Sequence, residues 1–185
     1  ITGTDVAKGA ADMVLTDDNF STIIKAVEEG RNIFANIKKS ILFLLSCNIG
    51  EIVSLFFAIL LGWATPLSPI HILWVNLITD TLPALSLGMD PGDPDVMKNK
   101  PRKAKESLFH GTLGFMLLNG VLIGVLTLIA FYIGAYEELA GTGLTGLQIM
   151  NPKNLTGEAL VHAQTMAFIV LSVSQLVHSL NLRNT

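Results

Sequence analysis

The sequence predicts an all-α polytopic membrane protein: four transmembrane helices, preceded by a small cytosolic α/β segment. Three observations predict it. Half of the 185 residues are hydrophobic and the mean hydropathy is +0.54, too apolar for an ordinary soluble domain of this size. Four apolar runs, at about 41–61, 70–88, 111–134 and 159–182, each approach the roughly 20 residues that a helix needs to cross a bilayer. All but one of the 12 Lys and Arg residues fall on one side of the resulting topology. The positive-inside rule therefore places both chain ends and the loop 89–110 in the cytoplasm; the protein is expected to be integral to the plasma membrane.

The elements follow in order. Within residues 1–20, Asp5 to Ala11 reads as a short helix, Met13-Val14-Leu15 as a short strand and Thr16 to Asn19 as a turn. Ser21 is placed to cap the next helix. That helix mixes Ile23, Ile24, Val27, Ile33, Phe34 and Ile37 with charged residues, contains no Pro, and runs from a cytosolic stalk at 21–40 into the first span. About 40 residues at about 1.5 Å each give roughly 60 Å, twice the thickness of a bilayer core. The link Gly62 to Pro69 is short and uncharged. Pro91, Pro94 and Pro101 make the basic loop extended rather than helical. The outer loop 135–158, with Gly141, Gly143, Gly146 and Gly157, reads as irregular surface. The chain opens on Ile1 in mid-pattern, so a piece of a longer protein is expected.

Within this frame all acidic residues but Glu51 and Asp80 lie in polar segments. An ionisable group inside a span is costly and marks a functional site by default. Asn48 shares a helix face with Glu51, and Asn76 shares one with Thr79 and Asp80. Adjacent spans can turn these faces together, offering carboxylate, amide and hydroxyl oxygens to a hard cation such as Ca²⁺. Cys and His are absent from these positions, which argues against a soft-metal site, and the single Cys47 gives neither a disulfide nor a thiolate centre. Pro83 lacks an N–H, so a helix break is expected there, freeing the carbonyl of Thr79.

Other features have plainer readings. Gly120 and Gly124 form a G-x-x-x-G, and Gly50 adjoins Glu51; both favour close helix packing. Gln175 and His178 share a face of the last span, where structural hydrogen bonding is the favoured role for His178. Asn119 reads as packing or interfacial, and Trp63, Trp74, Tyr132 and Tyr136 as interfacial anchors. The net charge of −3 gives no case for nucleic acid. The bilayer is the expected partner.

Asp12-Met13-Val14-Leu15-Thr16-Asp17-Asp18-Asn19-Phe20 and Glu28-Glu29-Gly30-Arg31 resemble the end of the phosphorylation domain and the stalk of P-type cation pumps. Asn48-Ile49-Gly50-Glu51 and the stretch from Leu73 to Ala84 resemble the fifth and sixth membrane helices of calcium pumps of the sarcoplasmic-reticulum type. The likeness runs through Lys100-Pro101-Arg102, weakens over 111–158, and returns at Thr165-Met166-Ala167. It implies that residues 1–20 are a remnant of the phosphorylation domain and that the spans correspond to helices five to eight. It also implies that Asn48, Glu51 and Thr79 serve one calcium site, Asn76 a second, and that Asp80 bridges both. Gln175 stands where the family usually has a glutamate ligand on the eighth helix. Gly50 is implied to pack against Gly120 and Gly124.

The family's Asp-Lys-Thr-Gly-Thr phosphorylation motif and its nucleotide domain are not in this sequence. Mg²⁺ and ATP are thus expected to belong to the parent protein, and this chain alone is expected to be inactive. The resemblance implies the ion-binding C-terminal region of an ATP-driven pump. That pump would export Ca²⁺ from the cytoplasm with proton countertransport, together with the remaining domains and helices of the same protein. Mn²⁺ is the competing ion. A cation transporter or channel that does not use ATP, and a scaffold in which Glu51 and Asp80 are structural, are the competing classes.

Overall fold

A computed structural model of the chain describes residues 3–17, 19–101, 108–109, 111–144 and 146–183. Helix α1 (Asp5–Ala10) starts where Thr4 Oγ1 accepts from the Ala7 N–H at 3.3 Å. Met13 to Leu15 is irregular, and the strand expected there does not form. Among the described residues there is no other strand for it to pair with, and a lone strand has no stability of its own.

Helix α2 (Ser21–Leu60) runs unbroken for 40 residues. Ser21 is its first helical residue rather than its cap. Phe20 holds the cap position without a side-chain bond, and Asn19 ahead of it forms a turn in which its Oδ1 accepts from the Ser21 N–H at 3.1 Å and from Ser21 Oγ at 2.9 Å. Thr22 Oγ1 adds a 2.6 Å bond to Asp17. Along the membrane half, Leu42, Phe43, Ser46, Cys47, Gly50, Glu51, Ser54 and Ala58 are buried at intervals of three and four, which makes one face.

The second span, Pro69–Gly88, is three pieces of helix: α3 (Pro69–Trp74), a π-helical stretch (Val75–Asp80) and α4 (Thr81–Gly88). The interruption lies before Pro83, not at it. The π stretch resets the helix at Thr81, so Pro83 falls in the first turn of α4, where a missing N–H costs little. Helices α5 (Leu113–Leu139) and α6 (Gly157–Arg183) complete four helical units that, among the described residues, are long and apolar enough to cross a membrane.

Helix α5 packs between α2 and α6, while α4 lies against α2. Glycines set the α2–α5 spacing. A Cβ on Gly124 would stand 2.8 Å from the Gly50 carbonyl oxygen, and one on Gly120 would stand 2.9 Å from that of Ser46. Gly134 does the same for α6, where a Cβ would meet Ala163 Cα at 2.9 Å. Such contacts bring backbones together where lipid gives no hydrophobic drive between helices.

The outer loop is more than irregular surface. Ile149, Met150 and Leu155 are fully buried within the core formed with Phe131, Ala163, Ala167 and Leu171. The Ala64 N–H donates to the Met150 carbonyl at 2.8 Å, and Gln164 Nε2 donates to the Thr65 carbonyl at 2.9 Å. Both bonds pin the turn between α2 and α3.

At the opposite end the loop after α4 is strapped to the first half of α2. Arg31 donates to the carbonyls of Val96 (3.2 Å) and Asn99 (3.0 Å), and Asn36 to that of Asp90 (2.7 Å). Val96 itself is buried in a short 3₁₀ turn, Val96–Lys98, in the loop expected to be extended throughout. Arg102, Lys103 and Lys105 lie outside the described residues.

Candidate cation site

Glu51 lies midway along the apolar run 41–61 that ends α2 and is 5% exposed. Its Oε2 accepts from Asn76 Nδ2 at 3.1 Å, and its Oε1 accepts from Gln175 Nε2 at 3.5 Å. The three side chains come from α2, the π stretch and α6, so the carboxylate ties three separate segments together. The widened turn has its own internal support: Thr81 Oγ1 donates to the carbonyl of Asn76, five residues back, at 2.9 Å. Asn76 is also held by a bond from its Nδ2 to the Ile72 carbonyl at 2.9 Å.

Asp80, at the last π-helical position, is 1% exposed, and neither carboxylate oxygen has a hydrogen-bond partner. Gln175 is fully buried and its Oε1 is equally unpartnered. These three buried oxygens, all acceptors, make no hydrogen bond, and the group beside Asp80 is the Cys47 thiol, a weak donor. Leaving such groups bare is expensive, and for a carboxylate most of all. Thr79, also buried, stands beside Asp80 in the chain. The chemistry of this set is that of hard oxygen donors, suited to a cation that takes carboxylate, amide and hydroxyl ligands together. Among the described residues no three or more His, Cys, Asp and Glu side chains cluster in metal-binding geometry, so amides make up the number.

The structure thus brings together Glu51, Asn76 and Gln175, with Thr79 and Asp80 on the adjoining π stretch. Asn48 is held differently. Its Nδ2 donates to the Leu44 carbonyl of its own helix at 2.7 Å, and the residue is only partly buried. Gly50, one residue before Glu51, fixes how near α5 stands to the site, through the Gly124 and Gly120 contacts. The neighbour that sequence reasoning set aside is Cys47. It is fully buried, lies beside the Asp80 carboxylate, and was legible as the residue four before Glu51 on the same face.

His178 is not hydrogen-bonded as expected. It is 4% exposed, its ring lies 6.0 Å from both Phe43 and Phe115, and neither nitrogen has a partner. Aromatic packing takes the place of the polar contact. Asn119 Nδ2 bonds to the Phe115 carbonyl of its own helix. Trp63, Tyr132 and Tyr136 form a chain of rings near the outer loop, with centroids 6.2 and 6.3 Å apart.

A family model described as "Cation transporting ATPase, C-terminus" matches residues 64–185. The chain is 74% identical over 184 residues to calcium-transporting ATPase 1 of Bacillus cereus, covering 100% of this chain and 20% of that protein. It is 50% identical over 185 residues to a calcium-transporting ATPase of Bacillus subtilis, covering 100% and 19%. A relative in Arabidopsis thaliana, calcium-transporting ATPase 3 of the endoplasmic-reticulum type, is 42% identical over 189 residues, covering 97% and 19%. The chain spans about a fifth of the length of these curated relatives.

Proposed function

Because this chain belongs to the cation transporting ATPase C-terminus family, we propose that it is the ion-binding membrane region of an ATP-driven calcium pump. Relatives named as calcium-transporting ATPases support the ion, and the oxygen-only donor set suits it. The observation that carries the reading is Asp80: a carboxylate 1% exposed with both oxygens bare, one helix away from a second buried carboxylate. A structural carboxylate would be satisfied by donors, as Glu51 is. One placed without them among amide and hydroxyl oxygens suits the role of a cation ligand.

On this reading Glu51, Asn76, Thr79, Asp80, Gln175 and Asn48 supply ligands, with Asn48 turning away from the Leu44 carbonyl to do so. Residues 1–20 belong to the phosphorylation domain, and 21–40 is the stalk that carries the phosphorylation event to the ligands. ATP and Mg²⁺ act in the rest of the pump. Both ends of the chain face the cytoplasm of a plasma-membrane protein, Ca²⁺ leaves that compartment, and protons return on Glu51 and Asp80.

The test is Asp80→Asn in the full-length pump. Calcium-dependent phosphorylation by ATP is expected to disappear, because the variant removes a charge without changing shape. Retention of wild-type calcium dependence would sink the reading. Competition of Mn²⁺ against Ca²⁺ in the same assay identifies the preferred ion.

A further inference from the structure

Where α2, α5 and α6 meet at the cytoplasmic side, they leave a groove of about 380 Å³. It is lined by Lys38 and Lys39, by Thr112, and by Leu42, Phe115 and Leu182. The sequence sorts these residues by depth. Lys38 and Lys39 lie just outside the apolar run that begins at 41, whereas Leu42 lies just inside it. Thr112 directly precedes α5, and Phe115 lies about one turn below it. The groove is therefore cationic at the level of lipid headgroups and apolar at the level of acyl chains.

Its polar groups have spare capacity. Among the described residues no carboxylate pairs with Lys38 or Lys39; Lys39 Nζ reaches only the Arg183 carbonyl, at 3.3 Å. Thr112 Oγ1 is buried, makes no capping bond and has no hydrogen-bond partner. It stands at the start of a helix of 27 residues, whose positive dipole end favours an anion, with the Leu113 N–H already taken by the Phe109 carbonyl.

We propose that this groove binds an anionic phospholipid, with the phosphate between Lys38, Lys39 and the Thr112 hydroxyl and an acyl chain over Leu42 and Phe115. Basic pockets between transmembrane helices on the cytoplasmic side hold such headgroups. A soluble phosphate would satisfy the lysines but leave the apolar wall unused, so the lipid is the ligand that fits both. The inference depends on the membrane disposition of the chain and not on the identity of the transported ion.

The test is native mass spectrometry of the full-length pump in detergent, titrated with phosphatidylglycerol, with phosphatidylcholine and inorganic phosphate as separate arms. Wild type is expected to retain one phosphatidylglycerol. The double variant Lys38→Gln/Lys39→Gln is expected to bind it about thirtyfold more weakly, near fivefold for each charge at the membrane surface. Thr112→Val gives a smaller loss and carries the test alone if the double variant does not fold. Lys98→Gln, an exposed residue paired with Asp95, leaves binding unchanged. Unchanged binding in both groove variants overturns the proposal. So does equal weakening by Lys98→Gln, or equally tight binding of phosphatidylcholine or of inorganic phosphate.

Discussion

Gly124→Ala is the sharpest probe of how this bundle is built. The added Cβ would stand 2.8 Å from the Gly50 carbonyl oxygen and 2.7 Å from Val53 Cγ1. Carbon–oxygen contacts across helices ordinarily sit at about 3.3–3.6 Å, so α5 must retreat from α2 by roughly half an ångström or more. The obstructing oxygen is backbone and cannot swing aside. Overpacking of this kind costs about 1–3 kcal/mol, against about 0.5–1 kcal/mol gained by replacing glycine within a helix. Gly114→Ala is the internal control: no atom lies within 4 Å of its new Cβ, so only the gain remains. Unfolding of the two full-length variants, in matched detergent, is expected to place Gly124→Ala about 1–3 kcal/mol below Gly114→Ala. A Gly124→Ala protein as stable as Gly114→Ala would falsify the close-contact argument. The displacement also reaches the site, because Gly50 adjoins Glu51, so cation affinity is expected to fall with stability.

Further outcomes follow from the same geometry. Gln175→Glu replaces a donor 3.5 Å from Glu51 Oε1 by a second carboxylate. Repulsion without an ion and an added ligand charge with one both raise the dependence on cation. Calcium should therefore raise the melting temperature of this variant more than that of wild type, and an equal rise contradicts the placement of Gln175. Leu155→Ala removes a fully buried side chain from the outer loop and is expected to cost about 2–5 kcal/mol in the same unfolding assay; a loss below about 0.5 kcal/mol would return that loop to mere surface.

Much of this architecture was visible in the residues, and the gaps have physical causes. The unbroken α2 could be read because nothing between Ser21 and Leu60 stops a helix, and Gly30 alone does not. The π stretch could not, because Val75 to Asp80 has no composition that separates a wide turn from an ordinary one. Pro83 marked the right span for the wrong reason, since the irregular turn lies ahead of it. Glu51 and Asp80 stood out because a charge in an apolar run needs explaining. Cys47 did not, because a thiol in such a run looks like packing until Asp80 is placed beside it. The bond from Asn48 to the Leu44 carbonyl depends on a rotamer choice, which spacing does not decide. Burial of Ile149, Met150 and Leu155 arises from contacts with residues distant in the chain, and so has no local signature.

The bonds that pin the α2–α3 turn carry a consequence for the order of assembly. Ala64 and Thr65 are synthesised before their partners Met150 and Gln164, which follow 86 and 99 residues later in the chain. While a ribosome is still making α5, the Ala64 N–H and the Thr65 carbonyl have no protein partner and must be served by water at the membrane surface. The hairpin that carries Glu51 and Asp80 can be inserted at that stage but not locked. Locking waits for the early turns of α6, which carry Gln164, and the later turns of the same helix bring Gln175 to Glu51. The turn is thus closed and the three-segment carboxylate contact completed by the same late helix. A nascent chain stopped before residue 150 should hold α2 and the Pro69–Gly88 span in the membrane with the turn between them still open to protease.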